Sequence, residues 1–118
     1  MKAVILIREG NAASLLKCQI MMLGSTHETV AFPDPGNALQ YLERKPVDAV
    51  FIDIDGETDW QRVCGMVKYM DEKINLVLLS RNPLNAVKAF EAGASDFLTK
   101  PVKQARLAKA IDRFVRAG

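Results

Sequence analysis

The chain has 118 residues, 49% of them hydrophobic and 25% charged, with a formal net charge of +2. That is the size and composition of one ordinary globular domain with a single core. The charge is too small to point to nucleic acid as the main partner, and no apolar stretch approaches the roughly 20 residues that span a bilayer.

Met1-Lys2 leads directly into a strand pattern, so a cytoplasmic protein is expected. Lys2 to Ile7 is nearly continuously apolar, as a strand covered on both faces requires. Ala12 to Leu23 reads as a helix with Leu16, Ile20 and Leu23 on one side and Gly24 as its stop. Thr26 to Phe32 is a shorter, more polar strand suited to a sheet edge, and it holds the only histidine, His27. Asp34-Pro35 is an N-cap followed by proline at the first helical position, opening a helix through Leu42 that ends before Lys45-Pro46.

Val47 to Asp53 is the third strand. Val63, Met66, Val67 and Met70 then form an i, i+3, i+4, i+7 stripe for the third helix. Asn75 to Ser80 is the fourth strand, Asn82-Pro83 opens a helix to about Ala92, and Gly93 stops it. Asp96 to Thr99 is the fifth strand, and Leu107, Ile111, Phe114 and Val115 place a final helix on the core. Five strand–helix alternations with no linker or repeat predict one three-layer α/β domain with a parallel sheet over residues 1–118. Cys18 and Cys64 lie in helical apolar patterns without metal-ligand spacing and read as buried reduced thiols.

In such sheets ligands bind beyond the carboxyl ends of the strands. The residues there are Arg8 and Glu9, Asp53 to Glu57, Ser80 to Asn82, and Lys100-Pro101. A carboxylate, a hydroxyl and an ammonium at adjacent tips, Asp53, Ser80 and Lys100, make a site where a phosphoryl group can be bound or accepted.

The segment Ala92-Gly93-Ala94-Ser95-Asp96-Phe97-Leu98-Thr99-Lys100-Pro101, with Asp53 and Ser80 at matching spacings, resembles the receiver domain of bacterial two-component response regulators. The resemblance spans essentially the whole chain. It implies a doubly wound (βα)5 flavodoxin-like fold with a five-stranded parallel sheet of order 2-1-3-4-5. It also implies a signalling module rather than an enzyme, one that at most catalyses its own phosphorylation and dephosphorylation. Asp53 matches the phospho-acceptor, Ser80 the hydroxyl that hydrogen-bonds the phosphoryl group, Lys100 its lysine, and Phe97 the aromatic whose rotamer accompanies activation.

The implied partners are a histidine kinase or phosphotransfer protein and a downstream protein or output domain that meets the fourth helix, fifth strand and fifth helix. Dimerisation through the last helices is a family-based expectation. No membrane contact and no direct nucleic-acid binding is expected, because no helix-turn-helix follows. The implied cofactor is Mg²⁺, held by Glu9, Asp53 and the backbone carbonyl of Asp55.

The chain departs from the family after the first strand, where Arg8-Glu9 replaces an acidic pair. Asp53, Glu9, Arg8 and Lys100 sum to about zero charge, whereas three acids and one lysine sum to minus two. Two unit charges near 4 Å interact by roughly 4 kcal/mol at an effective dielectric of 20, so even a residue of that effect weakens Mg²⁺ more than tenfold. Arg8 has a natural partner in Asp53 or Glu9, where it would imitate the metal. Arg81, another pocket modifier, either shields the site or reaches a phosphoryl oxygen.

Asp55 and Asp59 are expected to face solvent, Phe97 to be half-buried, and Trp60 to anchor its loop against a helix. Lys103, Arg106, Lys109, Arg113 and Arg116 make a solvated basic face or a dock for an acidic partner. Two other functions compete: a phosphorylation-independent pseudo-receiver that acts as a protein-interaction module, and a small flavin or nucleotide enzyme. The latter needs a glycine- or hydroxyl-rich phosphate loop that Arg8 to Ser14 barely supplies.

Overall fold

A computed structural model describes residues 1–117. Five strands, β1 (Lys2–Leu6), β2 (Glu28–Phe32), β3 (Ala49–Asp53), β4 (Asn75–Ser80) and β5 (Asp96–Thr99), form one sheet of order β2-β1-β3-β4-β5. Every pair is parallel. The helices are α1 (Gly10–Met21), α2 (Pro35–Arg44), α3 (Trp60–Met70), α4 (Ala86–Glu91) and α5 (Gln104–Ala117), with a 3₁₀ turn at Pro83–Asn85.

Side chains alternate across a strand, and here both faces are apolar. Ala3, Ile5, Ile7, Phe51, Val77, Leu79 and Leu98 point to one side, where Leu16 and Ile20 of α1 and Leu107, Ile111 and Phe114 of α5 cover them. Val4, Leu6, Val50, Ile52, Leu76, Leu78 and Phe97 point to the other, under Ala38 of α2, Val63 and Val67 of α3, and Ala89 of α4. The central strands therefore read as unbroken apolar runs, and β2 at the edge does not.

The local signals at helix ends act by identifiable bonds. Asp34 caps α2 by accepting from the Asn37 amide at 3.0 Å. Asn82 does the same for the 3₁₀ turn, accepting from Leu84 N–H at 3.0 Å. The predicted fourth helix is thus split, with a tighter first turn before α4. Gly93 ends α4 at φ 97°, a conformation that disfavours any Cβ.

Gly24 does not serve in that way. Its φ is not positive, and a Cβ there would lie 3.1 Å from the His27 ring. Three burial expectations also change. Cys18 is exposed because it lies midway between Leu16 and Ile20, on the opposite side of α1, whereas Cys64 is buried and free. Met66 and Val115 sit at the margins of their stripes and are exposed. The Cys64 thiol is pushed up to about 12 by burial.

Candidate functional site

Parallel strands end at one edge, so β3, β4 and β5 deliver Asp53, Ser80 and Lys100 to the same place. The register pairs Asp53 with Leu79 and Ser80 with Thr99, and the Lys100 amide donates to the Ser80 carbonyl at 2.9 Å. The Lys100 ammonium then reaches back across β4's end to donate to Asp53 Oδ2 at 2.6 Å. The other oxygen, Asp53 Oδ1, accepts from the Asp55 amide at 3.0 Å, which curls the loop after β3 over the site.

Asp55 is exposed as a residue, as the sequence predicts, but its carboxylate is not free in solvent. Its side chain, 29% exposed, turns into the cleft and lies 2.9 Å from Lys100 Nζ. Oδ1 accepts from the Ser80 hydroxyl at 2.6 Å and Oδ2 from the Arg81 amide at 2.8 Å. Burial alone would raise its pKa, but the bonds from Ser80, Lys100 and Arg81 and the lysine charge hold it below the ordinary value. For Lys100, burial works to lower the pKa, and the hydrogen bonds and charges of Asp53 and Asp55 outweigh it and raise the pKa.

Ser80 is fully buried, and its oxygen accepts from Asn82 N–H at 3.0 Å and Asn85 Nδ2 at 3.1 Å. Asn85 escapes a reading based on strand tips, since it sits in the 3₁₀ turn. The signal for it was the Asn82-Pro83 cap, which fixes where that turn starts.

Arg8 pairs with neither Asp53 nor Glu9. Its guanidinium meets Glu57 at 3.4 Å, with Arg8 67% and Glu57 14% exposed, at the outer rim. Glu9 lines the cleft, but its carboxylate is engaged as a helix cap. Its two oxygens accept from Asn11 N–H and Ala12 N–H, each at 2.8 Å, which caps α1 and starts it at Gly10 instead of Ala12. Arg81 contributes its amide to Asp55 while its side chain lies exposed along the cleft.

Phe97 is buried against the α3 and α4 side of the core rather than half-buried. Trp60 opens α3 and packs partly buried on the same cluster, as a loop anchor does. Asp59 is exposed.

The cleft beside Asp53 encloses about 540 Å³. Glu9, Asp53, Asp55 and Glu57 line it together with Arg8, Arg81 and Lys100, four carboxylates against three cations and a formal balance of −1. The four-residue charge sum thus leaves out two acids, Asp55 and Glu57, and one cation, Arg81, that the fold brings to the cleft. Among the described residues no group of three or more His, Cys, Asp or Glu is arranged to hold a metal ion. With Glu9 engaged in capping and Lys100 lodged between Asp53 and Asp55, the donor set does not fit a resident Mg²⁺ in this arrangement.

A further acid, away from the cleft, was missed. Asp96 opens β5 only 3% exposed and is gripped by two arginines of α5. Arg106 bonds both of its oxygens, Nη1 to Oδ2 at 3.0 Å and Nη2 to Oδ1, and Arg113 Nη2 reaches Oδ2 at 2.6 Å. Two cations of the basic face are thus committed within the fold. Lys103 and Lys109 are exposed, and the Arg116 side chain lies outside the described residues.

A doubly wound five-stranded parallel sheet with an aspartate, a hydroxyl and a lysine at its carboxyl edge defines the receiver class. The chain belongs to the response regulator receiver domain family, whose model matches residues 5–112. Protein MrkE of Klebsiella pneumoniae is 26% identical over 87% of this chain, which spans about 40% of that relative's length. The crystal structure of MrkE's response regulatory domain has a TM-score of 0.86 at 28% identity, covering 99% of this chain and 97% of that one. The receiver domain of the sensor histidine kinase PA1611 from Pseudomonas aeruginosa has a TM-score of 0.83 at 19% identity, covering 97% of this chain and 96% of that one. That structure holds a magnesium ion coordinated in its active-site cleft.

Proposed function

We propose that residues 1–118 form one receiver unit that accepts a phosphoryl group on Asp53 from a histidine kinase or phosphotransfer protein. The observation that carries this reading is Lys100 Nζ 2.6 Å from Asp53 Oδ2, with the buried Ser80 hydroxyl at the adjacent strand tip. In the transfer a carboxylate oxygen of Asp53 attacks phosphorus. The P–N bond to the donor imidazole breaks, and its electron pair leaves with the nitrogen. Lys100 offsets charge on one phosphoryl oxygen, while the Ser80 hydroxyl and the Arg81 amide are placed to donate to others. Chemistry is confined to Asp53's own phosphorylation and its reversal, and Mg²⁺ binds weakly because it must first displace Lys100 from between Asp53 and Asp55.

Output runs through α4, β5 and α5, as in the family. Leu84, Val87 and Phe90 support this by exposing apolar side chains at three-residue spacing along the 3₁₀ turn and α4. Phe97, buried beneath α4, is the switch aromatic. A cytoplasmic location and the absence of nucleic-acid binding by this chain belong to the same reading. So does a homodimer formed through the last helices.

A second reading, the pseudo-receiver, is favoured by one observation: the Glu9 carboxylate is engaged in capping α1. Incubation with acetyl phosphate, followed by intact mass, separates the two. A gain of one phosphoryl group that disappears in Asp53→Asn is expected. No gain at any Mg²⁺ concentration would leave the pseudo-receiver.

A further inference from the structure

The receiver reading uses Asp55 only through its backbone, yet its side chain is the most heavily bonded acid in the cleft. Three donors from two chain segments, the end of β4 and the residue after β5, converge on one carboxylate. They are the Ser80 hydroxyl at 2.6 Å, the Arg81 amide at 2.8 Å and the Lys100 ammonium at 2.9 Å. A hydroxyl, a backbone N–H and an ammonium aimed at a single anionic group constitute an oxyanion cradle.

Ser80 has its acceptor capacity filled by Asn82 and Asn85, which leaves its proton for whatever lies in front of it. The cradle adjoins the acceptor, because the same lysine nitrogen that holds Asp55 is 2.6 Å from Asp53. Asp55 N–H also bonds Asp53 Oδ1, so one residue binds the acceptor with its backbone and fills the neighbouring space with its side chain.

We propose that Asp55 is the built-in occupant of the phosphoryl cradle. In the unmodified protein its carboxylate stands where phosphoryl oxygens would stand, and a phosphate-class oxyanion must displace it. The identity of that oxyanion rests on the receiver reading; the occupancy itself does not. Two consequences follow. The carboxylate is a tethered competitor that lowers the site's affinity for external oxyanions. It also holds Ser80 toward the cleft without phosphate, so Asp55 sets how far the hydroxyl has left to move when Asp53 is modified. The competing view is a plain loop staple, in which Asp55 stitches the β3–α3 loop to β4 and the donors have no use for another anion.

Titration of inorganic phosphate, followed at the Arg81 amide by NMR, separates these. Asp55→Ala is expected to bind phosphate roughly tenfold or more tightly than the native chain, the change that removing a charge-assisted competitor produces. The Arg81 amide should be among the most shifted, and Lys100→Met added to Asp55→Ala should abolish the gain. Asp55→Asn, which keeps the shape and removes the charge, should show a smaller gain in the same direction and serves if the alanine variant is unstable.

Equal affinity in the native chain and both Asp55 variants would overturn the proposal. So would a gain that ignores Lys100→Met. Acetyl phosphate labelling run alongside tests the other reading: no adduct on any variant sinks phosphoryl acceptance, whereas the phosphate titration alone decides the cradle.

Discussion

Two clusters of ion-paired acids in this domain have inverted stoichiometries. At the cleft, two carboxylates, Asp53 and Asp55, share one lysine. At the β5–α5 junction, one carboxylate, Asp96, is shared by two arginines. The second arrangement is closed, since Asp96 is 3% exposed and also accepts from the Phe97 amide at 2.8 Å. The first is open to a cleft and negatively balanced, so its lysine can exchange one anionic partner for another. Both clusters hold a helix or loop in place, but only the one with excess carboxylate lies open to the cleft.

The strongest way to break this contrast is Lys100→Met. It removes the cation lodged between two carboxylates and the donor expected to balance the phosphoryl group. Loss of one such donor typically costs about 10² or more in rate. Acyl phosphate formation on Asp53, timed by intact mass, should fall by roughly that factor. A rate within a few-fold of the native chain would show that Lys100 is a structural tether like the Asp96 arginines.

The corresponding change at the other cluster is Asp96→Asn, and it should move stability instead of chemistry. The two arginines left behind are 43% and 60% exposed, so water takes up much of their charge. We therefore expect about 2 kcal/mol of destabilisation, below the 3–5 kcal/mol typical of a fully buried pair. Urea unfolding measures it, with acetyl phosphate labelling unchanged within a few-fold.

pH sharpens the same point. Burial pushes the Asp96 pKa up, but Arg106's hydrogen bonds, the Phe97 amide and the charges of Arg106 and Arg113 outweigh it and bring it below the ordinary value. A carboxyl whose folded value is depressed contributes stability that is fully present above its unfolded pKa of about 3.9 and is lost as pH falls through the folded value. The urea midpoints of the native chain and Asp96→Asn should thus differ at neutral pH and converge as pH drops below about 4. A gap that persists at low pH would mean that packing, and not the ion cluster, supports this junction.

The contrast also explains what the sequence made legible. Strand order, edge assignment and the meeting of Asp53, Ser80 and Lys100 follow from alternation, capping and parallel topology, all of which act through near neighbours or whole elements. The partners of Asp55, Glu9 and Arg8 are not legible because a loop carboxylate or a helix-start acid chooses among donors that only the folded loop brings within reach. Glu9 finds two free amide protons at the start of α1, closer than any cation. Asp96 was hidden for a different reason: its partners lie on α5 ten and seventeen residues ahead, and their helical spacing resembled a solvent face.

Arg8→Asp probes the rim between the two regimes. Arg8 touches Glu57 at 3.4 Å and is mostly exposed, so their pair contributes at most about 1 kcal/mol and stability should barely change. The cleft charge, however, becomes two units more negative, and Glu57 loses its partner. Mg²⁺ titration followed by Trp60 fluorescence should then show affinity rising about tenfold or more. If affinity is unchanged, the cation of the rim is not what keeps Mg²⁺ weak, and the capping of α1 by Glu9 is. Glu9→Gln in the Arg8→Asp background distinguishes these directly, since it removes the one acid that would have to leave its cap to reach a metal.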